Sequence, residues 1–388
     1  MPRQSKPWFR KERRAWFVTI DGQRHNLGPD RKRAMQKFHR LAAEPRRRKV
    51  QSDLVAALID AFLDWCQKHR AHETYVWYQA ALQLFASRYP DLTVAELRPF
   101  HVQQWIDSYP DLSSGTKRNY CRAIVRVMHW AEEQGLIDRT PLVHFKKPRA
   151  GQRETVISPE EYERILACVP NANFRDLLAF AWETGARAAE CLAIEKRHVD
   201  LACARIVFPP SEEKMGRAPR IIYLSDEACG IVRRLMFRTH DRLFVNGNGV
   251  PWTTEAVNCA FMQVQARMGK QVMREKGIGL KPEGIETQIA KQRPYRISQG
   301  RKVVKTRLEL VEEARRKLWT RLACQHAPKY CLTAFRHSWC HHALRRGLDA
   351  LTVSMLMGHA DPTMVSRVYS HLSHATDYLR QAAQKAVV

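Results

Sequence analysis

The stretch Cys331-Leu-Thr-Ala-Phe-Arg-His-Ser-Trp-Cys340, taken with Leu356-Met-Gly-His-Ala-Asp-Pro-Thr-Met-Val-Ser-Arg-Val-Tyr-Ser-His-Leu372, constrains this chain more than any other part of it. The first segment places Arg336 and His337 near the start of an apolar-striped helix. The second breaks a helix at Gly358 and sets His359 just past the break. It restarts at Asp361-Pro362, an N-cap side chain followed by a residue with preset φ and no amide to leave unpaired. The new helix carries Tyr369. Cationic side chains, a histidine and a tyrosine folded back within about forty residues make a phosphoryl-transfer site, in which arginine neutralises a phosphate and tyrosine attacks it.

Charge points the same way. The 388 residues hold 65 Lys and Arg against 39 Asp and Glu, a net charge of +26. Such a balance favours a polyanionic partner. Nucleic acid fits better than a membrane surface, because no basic amphipathic segment lies beside an apolar anchor. The first residues lack the apolar run of a signal peptide, and no stretch approaches the length of a membrane span. The expected location is therefore cytoplasmic and nucleoid-associated. Ten cysteines at irregular spacings read as small buried hydrophobes in a reducing compartment. A zinc cluster of Cys324, His326, Cys331, His337, Cys340, His341 and His342 is the competing reading, but its spacings do not match the paired ligands of structural zinc sites. The expectation is no metal and no cofactor.

In chain order, residues 1–50 carry 16 Lys/Arg and 4 Asp/Glu. Residues 16–20 read as a strand, Asp21-Gly22 as a hairpin turn, 23–27 as the return strand, and Asp30 as the cap of a helix ending near Ala43. The expected module is a basic β-hairpin plus helix, and a two-stranded ribbon fits a major groove. A charged linker with Arg46, Arg47 and Arg48 leads into a helical domain, giving an expected boundary of 51–148. Its apolar stripes include Leu54, Leu58, Phe62 and Trp65, then Tyr120, Ile124, Val127 and Met128, with Gly135 closing the last helix. The aromatics read as core. Lys117, Arg118, Arg122 and Arg126 lie on or near the opposite side of that helix and, with Lys146, Lys147 and Arg149 of the next linker, are candidate phosphate contacts.

The region 154–388 opens at Ser158-Pro159-Glu160-Glu161, which combines an N-cap, an N1 proline and a capping-box Glu. A nearly all-apolar helix then ends in a Gly turn at Thr184-Gly185-Ala-Arg187-Ala-Ala-Glu190, so Arg187 reads as presented from a buried position. The best strand pair is 204–208 and 219–224, with Lys214 and Arg217 in the loop between. Residues 243–252 form a turn-rich connection without a Walker A lysine, so nucleotide hydrolysis is not supported. Residues 270–329, with 16 Lys/Arg and 6 Asp/Glu, read as a basic loop followed by a helix near 308–322.

These segments resemble the tyrosine recombinases of the phage integrase family. Thr184-Gly-Ala-Arg187-Ala-Ala-Glu190, Arg336, Met357-Gly358-His359 and Tyr369 match its motifs. The family's His three residues before the second Arg is replaced here by Thr333, and the spacing from His359 to Tyr369 is one residue longer than the commonest. The resemblance implies a mainly α fold with a small antiparallel β-sheet in the catalytic domain, within a multi-domain clamp on duplex DNA. It makes 1–50 an arm-type DNA-binding module, 51–148 a core-binding domain, and 154–388 the catalytic domain with a basic insertion at about 270–329. It implies Arg187 and Arg336 on the scissile phosphate, with His359 donating a further hydrogen bond. Lys214 becomes the general acid, Tyr369 the nucleophile and Glu190 a structural partner. The implied reaction is strand exchange through a 3′-phosphotyrosyl link by a homotetramer on DNA, with accessory DNA-bending proteins as candidate partners. The alternatives are a catalytically weakened DNA-binding regulator, which Thr333 would suit, and a type IB topoisomerase-like nicking enzyme.

Overall fold

Apolar residues of one sheet face and one helix stripe make the first small core. The computed structural model describes residues 7–20, 23–43, 53–149, 151, 155–213, 218–280, 283–298, 300–359 and 363. Asp21-Gly22, Arg46, Arg47, Arg48, Lys214, Arg217, Asp361-Pro362, Tyr369 and the tail beyond it lie outside the described residues. By its contacts the chain divides into Met1–Arg153 and Glu154–Val388.

In the first unit, β1 (Trp8–Arg10), β2 (Ala15–Ile20) and β3 (Gln23–Gly28) form an antiparallel sheet in that order. The two-stranded ribbon expected here is thus a three-stranded sheet. Its extra strand was too short to show a period of its own, and it is held by pairing Trp8 with Phe17 and Phe9 with Trp16. Asp30 Oδ1 accepts from the amide of Arg33 at 2.8 Å, which starts α1 (Arg31–Ala43). Val18, Leu27 and Ala34 are the buried core of this module, with Trp16 and Phe38 against them.

The helices α2 (Val55–His69), α3 (His72–Arg88), α4 (Pro99–Asp107) and α5 (Ser114–Glu133) bury a second core. Leu58, Phe62, Leu82, Phe85, Trp105, Ile124 and Met128 are its fully buried members, so most of the aromatics are core residues as expected. Thr93 and Glu96 bond reciprocally, at 3.2 and 3.3 Å, in the turn before α4. Gly135, at φ +69, follows the last turn of α5.

The second unit starts with α6 (Pro159–Ala167), capped by Ser158 Oγ at 3.2 Å from the amide of Glu161. The reciprocal half of the expected capping box is absent, because Glu161 receives the hydroxyl of the buried Tyr330 instead. There follow α7 (Ala172–Thr184), α8 (Ala188–Ala193), the antiparallel strands β4 (Val199–Asp200), β5 (Arg205–Phe208) and β6 (Arg220–Tyr223), then α9 (Asp226–Met236) and α10 (Thr254–Glu275).

The region expected to be a basic loop is structured. It holds α11 (Glu283–Ala290) and a hairpin of β7 (Tyr295–Ser298) and β8 (Arg301–Val304) before α12 (Arg307–Gln325). Six basic and no acidic residues over 291–306 mask the alternation in the sequence. Helices α10 and α12 lie so close that a Cβ at Gly269 would run into the backbone carbonyl of Ala323. The chain closes, as far as it is described, with α13 (Leu332–Arg345) and α14 (Ala350–Met357). Among the described residues no helix is long and apolar enough to cross a membrane.

The contact between α10 and α12 gives a paired test. Gly269→Ala forces two helix backbones apart and should lose about 1–3 kcal/mol in urea unfolding. Gly230, on α9, has open space around it, so Gly230→Ala should gain about 0.4–1 kcal/mol. Equal and small effects would mean that α12 does not depend on the glycine.

Candidate active site

The site is assembled at two helix ends. α7 buries Phe174, Leu177, Leu178, Phe180 and Ala181 and stops at Gly185, whose φ is +59. A Cβ on Gly185 would stand 2.6 Å from the ring of Trp339. That indole donates from Nε1 to the Glu183 carbonyl at 3.0 Å, which fastens α13 to the end of α7. α14 stops in the same way at Gly358, φ +67, where a Cβ would lie 2.7 Å from Arg220 Nε. Glycine is required at both turns, by backbone conformation and by the close approach of a side chain.

Arg187 leaves the first turn as the N-cap of α8. Its amide donates to Glu190 Oε2 at 2.8 Å and its guanidinium to Oε1 at 2.5 Å. Its Nη2 also donates to the Gly358 carbonyl at 2.5 Å, across 171 residues of chain. Arg336, buried one turn into α13, donates from Nη1 to the Gly185 carbonyl and from Nη2 to the Met357 carbonyl, each at 2.8 Å. Both arginines are therefore positioned by carbonyls of the helix-ending turns.

His359 Nε2 lies 2.9 Å from Arg336 Nη2. A guanidinium has no lone pair to offer, so Nε2 is the acceptor and the proton of the neutral ring sits on Nδ1. That Nδ1 is buried and has no partner among the described residues. It is a hydrogen-bond donor with nothing of the described chain to donate to.

Arg220 is the member that sequence reasoning missed. It opens β6 only 6% exposed. Its Nε stands 3.2 Å from Glu190 Oε1, and its Nη1 donates to the Leu356 carbonyl at 2.9 Å. Arginine in a strand defaults to solvent. The usable signal was alternation, which puts Arg220 on the same inward side as buried Ile222, with Ile221 half-buried and Tyr223 exposed.

Two guanidiniums, those of Arg187 and Arg220, thus share the carboxylate of Glu190, and Arg336, bound to backbone carbonyls instead, brings the excess to two positive charges. Burial pushes the Glu190 carboxyl up, but the charge of Arg220 and the hydrogen bonds from Arg187 and Arg220 outweigh it and hold the group below its ordinary range. Arg336 is brought down to about 10 by burial and by the neighbouring Arg187 and Arg220. It stays charged at neutral pH. His359 falls to about 4 through burial and the charges of Arg336, Arg187 and Arg220, so it is a neutral donor. His337 is lowered by burial and by Arg336. Such a pocket binds an anion with several acceptor oxygens.

Arg187, Glu190, Arg336 and His359 are brought together. Thr333 lies exposed at the second position of α13, where it neither caps the helix nor enters the core. Strands β5 and β6, which flank Lys214 in the sequence, pair antiparallel, and Lys214 itself lies outside the described residues. Among the candidate phosphate contacts, Arg118 Nη1 donates to the Pro148 carbonyl at 3.0 Å, which lays the linker holding Lys146, Lys147 and Arg149 along α5. Those three are exposed, Lys117 is half-buried, and Arg122 is exposed with its guanidinium 5.4 Å from the centre of the Trp77 ring. Arg126 instead forms a bidentate pair with Glu133 at 2.8 and 3.1 Å.

Residues 155–277 match the phage integrase family. The integrase of the Tn1549 transposon, in complex with transposon right end DNA, is similar in fold with a TM-score of 0.59 and 15% identity, covering 85% of this chain and 99% of that one. A lambda integrase dimer bound to a COC′ core site gives 0.52 at 12% identity, covering 93% of each chain. A lambda integrase tetramer bound to a Holliday junction gives 0.52 at 11%, covering 94% and 98%. No curated protein matches the chain.

Two outcomes follow from the electrostatics. His359 binds its proton less well folded, at about 4, than at the ordinary 6.5 of an unfolded chain. Between those values the unfolded state holds more protons, so this group's contribution makes stability rise with pH and level off above the window. Glu190, held below its ordinary 4.5, adds the same sign at lower pH. The urea midpoint should climb from pH 4 to 6.5 and climb less in His359→Gln; equal slopes would mean the imidazole is not desolvated. Arg220→Ala, which strips a buried carboxylate of one partner, should cost about 3–5 kcal/mol. A loss no larger than that of a surface pair, about 1 kcal/mol or less, would show that Arg187 alone satisfies Glu190.

Proposed function

We propose that this chain, whose segment 155–277 is a phage integrase family domain on a tyrosine-recombinase fold, is a site-specific DNA recombinase that cuts and rejoins duplex DNA through a 3′-phosphotyrosyl intermediate. The observation that carries the reading is the convergence of Arg187 and Arg336 on adjacent carbonyls, Gly358 and Met357, with an excess of positive charge behind them. A phosphodiester entering there meets guanidinium donors for its nonbridging oxygens and the Nδ1–H of His359, which has no partner among the described residues.

In the proposed step the Tyr369 hydroxyl oxygen bonds to phosphorus and the bond from phosphorus to the 5′ oxygen breaks. The phenolic proton passes to water, since the exposed Thr333 offers no basic nitrogen and His359 titrates too low. Lys214 gives a proton to the departing 5′ oxygen. The free 5′-hydroxyl of a partner strand then attacks the phosphotyrosine and releases the tyrosine. Ester bond energy is kept throughout, so the chemistry calls for no nucleotide cofactor. Preorganised donors of this kind are worth about 10²–10³ in rate each.

Residues 1–50 would hold arm sites, and 51–148 with Lys117, Arg118, Arg122, Lys146, Lys147 and Arg149 would hold the core site. Arg46, Arg47 and Arg48 would cross between them. The proposed assembly on DNA is a homotetramer, with DNA-bending accessory proteins, acting at the nucleoid. The tetramer is argued from the lambda integrase assembly named above.

Tyr369→Phe should abolish the covalent protein–DNA adduct with a nicked core-site duplex while duplex affinity stays within a few-fold, both measured on the full chain. An adduct that survives in this variant and disappears in Tyr378→Phe would reassign the nucleophile.

A further inference from the structure

The β7–β8 hairpin is an element the chemistry above does not use. Its register pairs Tyr295 with Val304 and Ile297 with Lys302 on one face, and Arg296 with Val303 and Ser298 with Arg301 on the other. Among the described residues no further strand joins it. Ile297 is 72% and Val304 77% exposed, two β-branched side chains on one face in solvent. A lone two-stranded ribbon in water is marginal, so this one is held at its base. Lys305 does that: its amide donates to the Pro294 carbonyl at 2.9 Å, and its ammonium sits 2.6 Å from Glu313 of α12. Beyond the base every described residue of the ribbon except Tyr295 is exposed.

Its charge selects the occupant. Residues 291–306 hold six basic and no acidic residues. Lys305 is consumed by Glu313, and Arg296 reaches Glu309 only at 3.5 Å, both groups being well exposed. Lys291, Arg293 and Arg301 make no ion pair among the described residues, and Lys302 rests 5.1 Å over the Tyr295 ring. A second copy of a chain with net charge +26 would be repelled by such a ribbon, whereas duplex DNA supplies phosphates on both sides of a groove of ribbon width. The groove floor carries thymine methyl groups for apolar side chains.

We infer that the β7–β8 hairpin is a DNA-docking ribbon, lying in a groove of the duplex with Ile297 and Val304 toward the base edges, Lys302 reaching a flanking phosphate from that same face, and Arg296 and Arg301 reaching phosphates from the opposite face. It rests on the recombinase reading only in taking duplex DNA as the polyanion. It gives the 270–329 region a role separate from cleavage: it extends the footprint beyond the site that holds the scissile phosphate.

The test measures binding of the full chain to a duplex over a range of salt, for wild type and two variants, with adduct formation on a nicked core substrate in parallel. In the triple variant Arg296→Ala, Arg301→Ala, Lys302→Ala the log–log salt slope should shrink by about 2–3, at about 0.9 for each phosphate no longer neutralised. In Ile297→Ser, Val304→Ser the affinity should fall while the slope stays. All five positions are exposed, so circular dichroism and the melting midpoint should match wild type. An unchanged slope in the triple variant, with the adduct still forming, overturns the docking ribbon and leaves the recombinase reading standing. A shrunken slope with no adduct from wild type supports the ribbon and overturns the recombinase reading. Self-association of wild type that is lost in the serine variant, with DNA binding untouched, would make a second copy the occupant and overturn the proposal.

Discussion

One carboxylate holds the site together. Glu190 takes the amide and guanidinium of Arg187 on one side and the guanidinium of Arg220 on the other. Without it, three cations would stand within a few bonds of one another in a poorly hydrated place, and burying an unpaired charge is among the most costly things a fold can do. The pairing also links four pieces of chain. Arg187 sits after the turn that ends α7, Arg220 opens β6, and both reach the turn that ends α14, where Arg336 arrives from α13. The geometry of the pocket is therefore a property of the ion network as much as of the apolar core beneath it. The residual positive charge is what the core and the carboxylate together make tolerable.

The glycines set how near these pieces can come. Gly185 admits the Trp339 ring and Gly358 admits the Arg220 guanidinium, each at a distance that a methyl group would block. Gly269 does the same for two helix backbones outside the site, seating α12 against α10. Contact order is high in such a site, since its bonds span most of the second unit. Closing those loops costs entropy that grows only slowly with their length, so the long segment between α10 and α13 is compatible with such a pocket.

The sequence carried the helix-borne part of the site. Arg187, Glu190, Arg336 and His359 follow helix-ending glycines or sit on strongly apolar helices, where period and punctuation are plain. Arg220 was not legible by type, because four-residue strands carry little pattern and a charged strand residue is exposed by default; only its alternation with Ile222 marks it. The strand at Trp8 was too short to declare itself. The β7–β8 hairpin was hidden by charge: Arg296, Arg301 and Lys302 made an ordered ribbon read as a loop. Glu161 shows the opposite case, a sound local motif overridden by a distant partner, the Tyr330 hydroxyl.

The carbonyls of Gly185, Met357 and Gly358 already occupy the inward donors of Arg187 and Arg336. Any anion that enters must compete with these resident acceptors. A monatomic ion such as chloride can exchange for one of them and leaves the rest of the network as it was, so its net gain is slight. A phosphodiester presents two nonbridging oxygens at a fixed separation and can engage both guanidiniums and His359 Nδ1 at once. The geometry therefore favours an anion that offers several acceptors over one that offers a single contact.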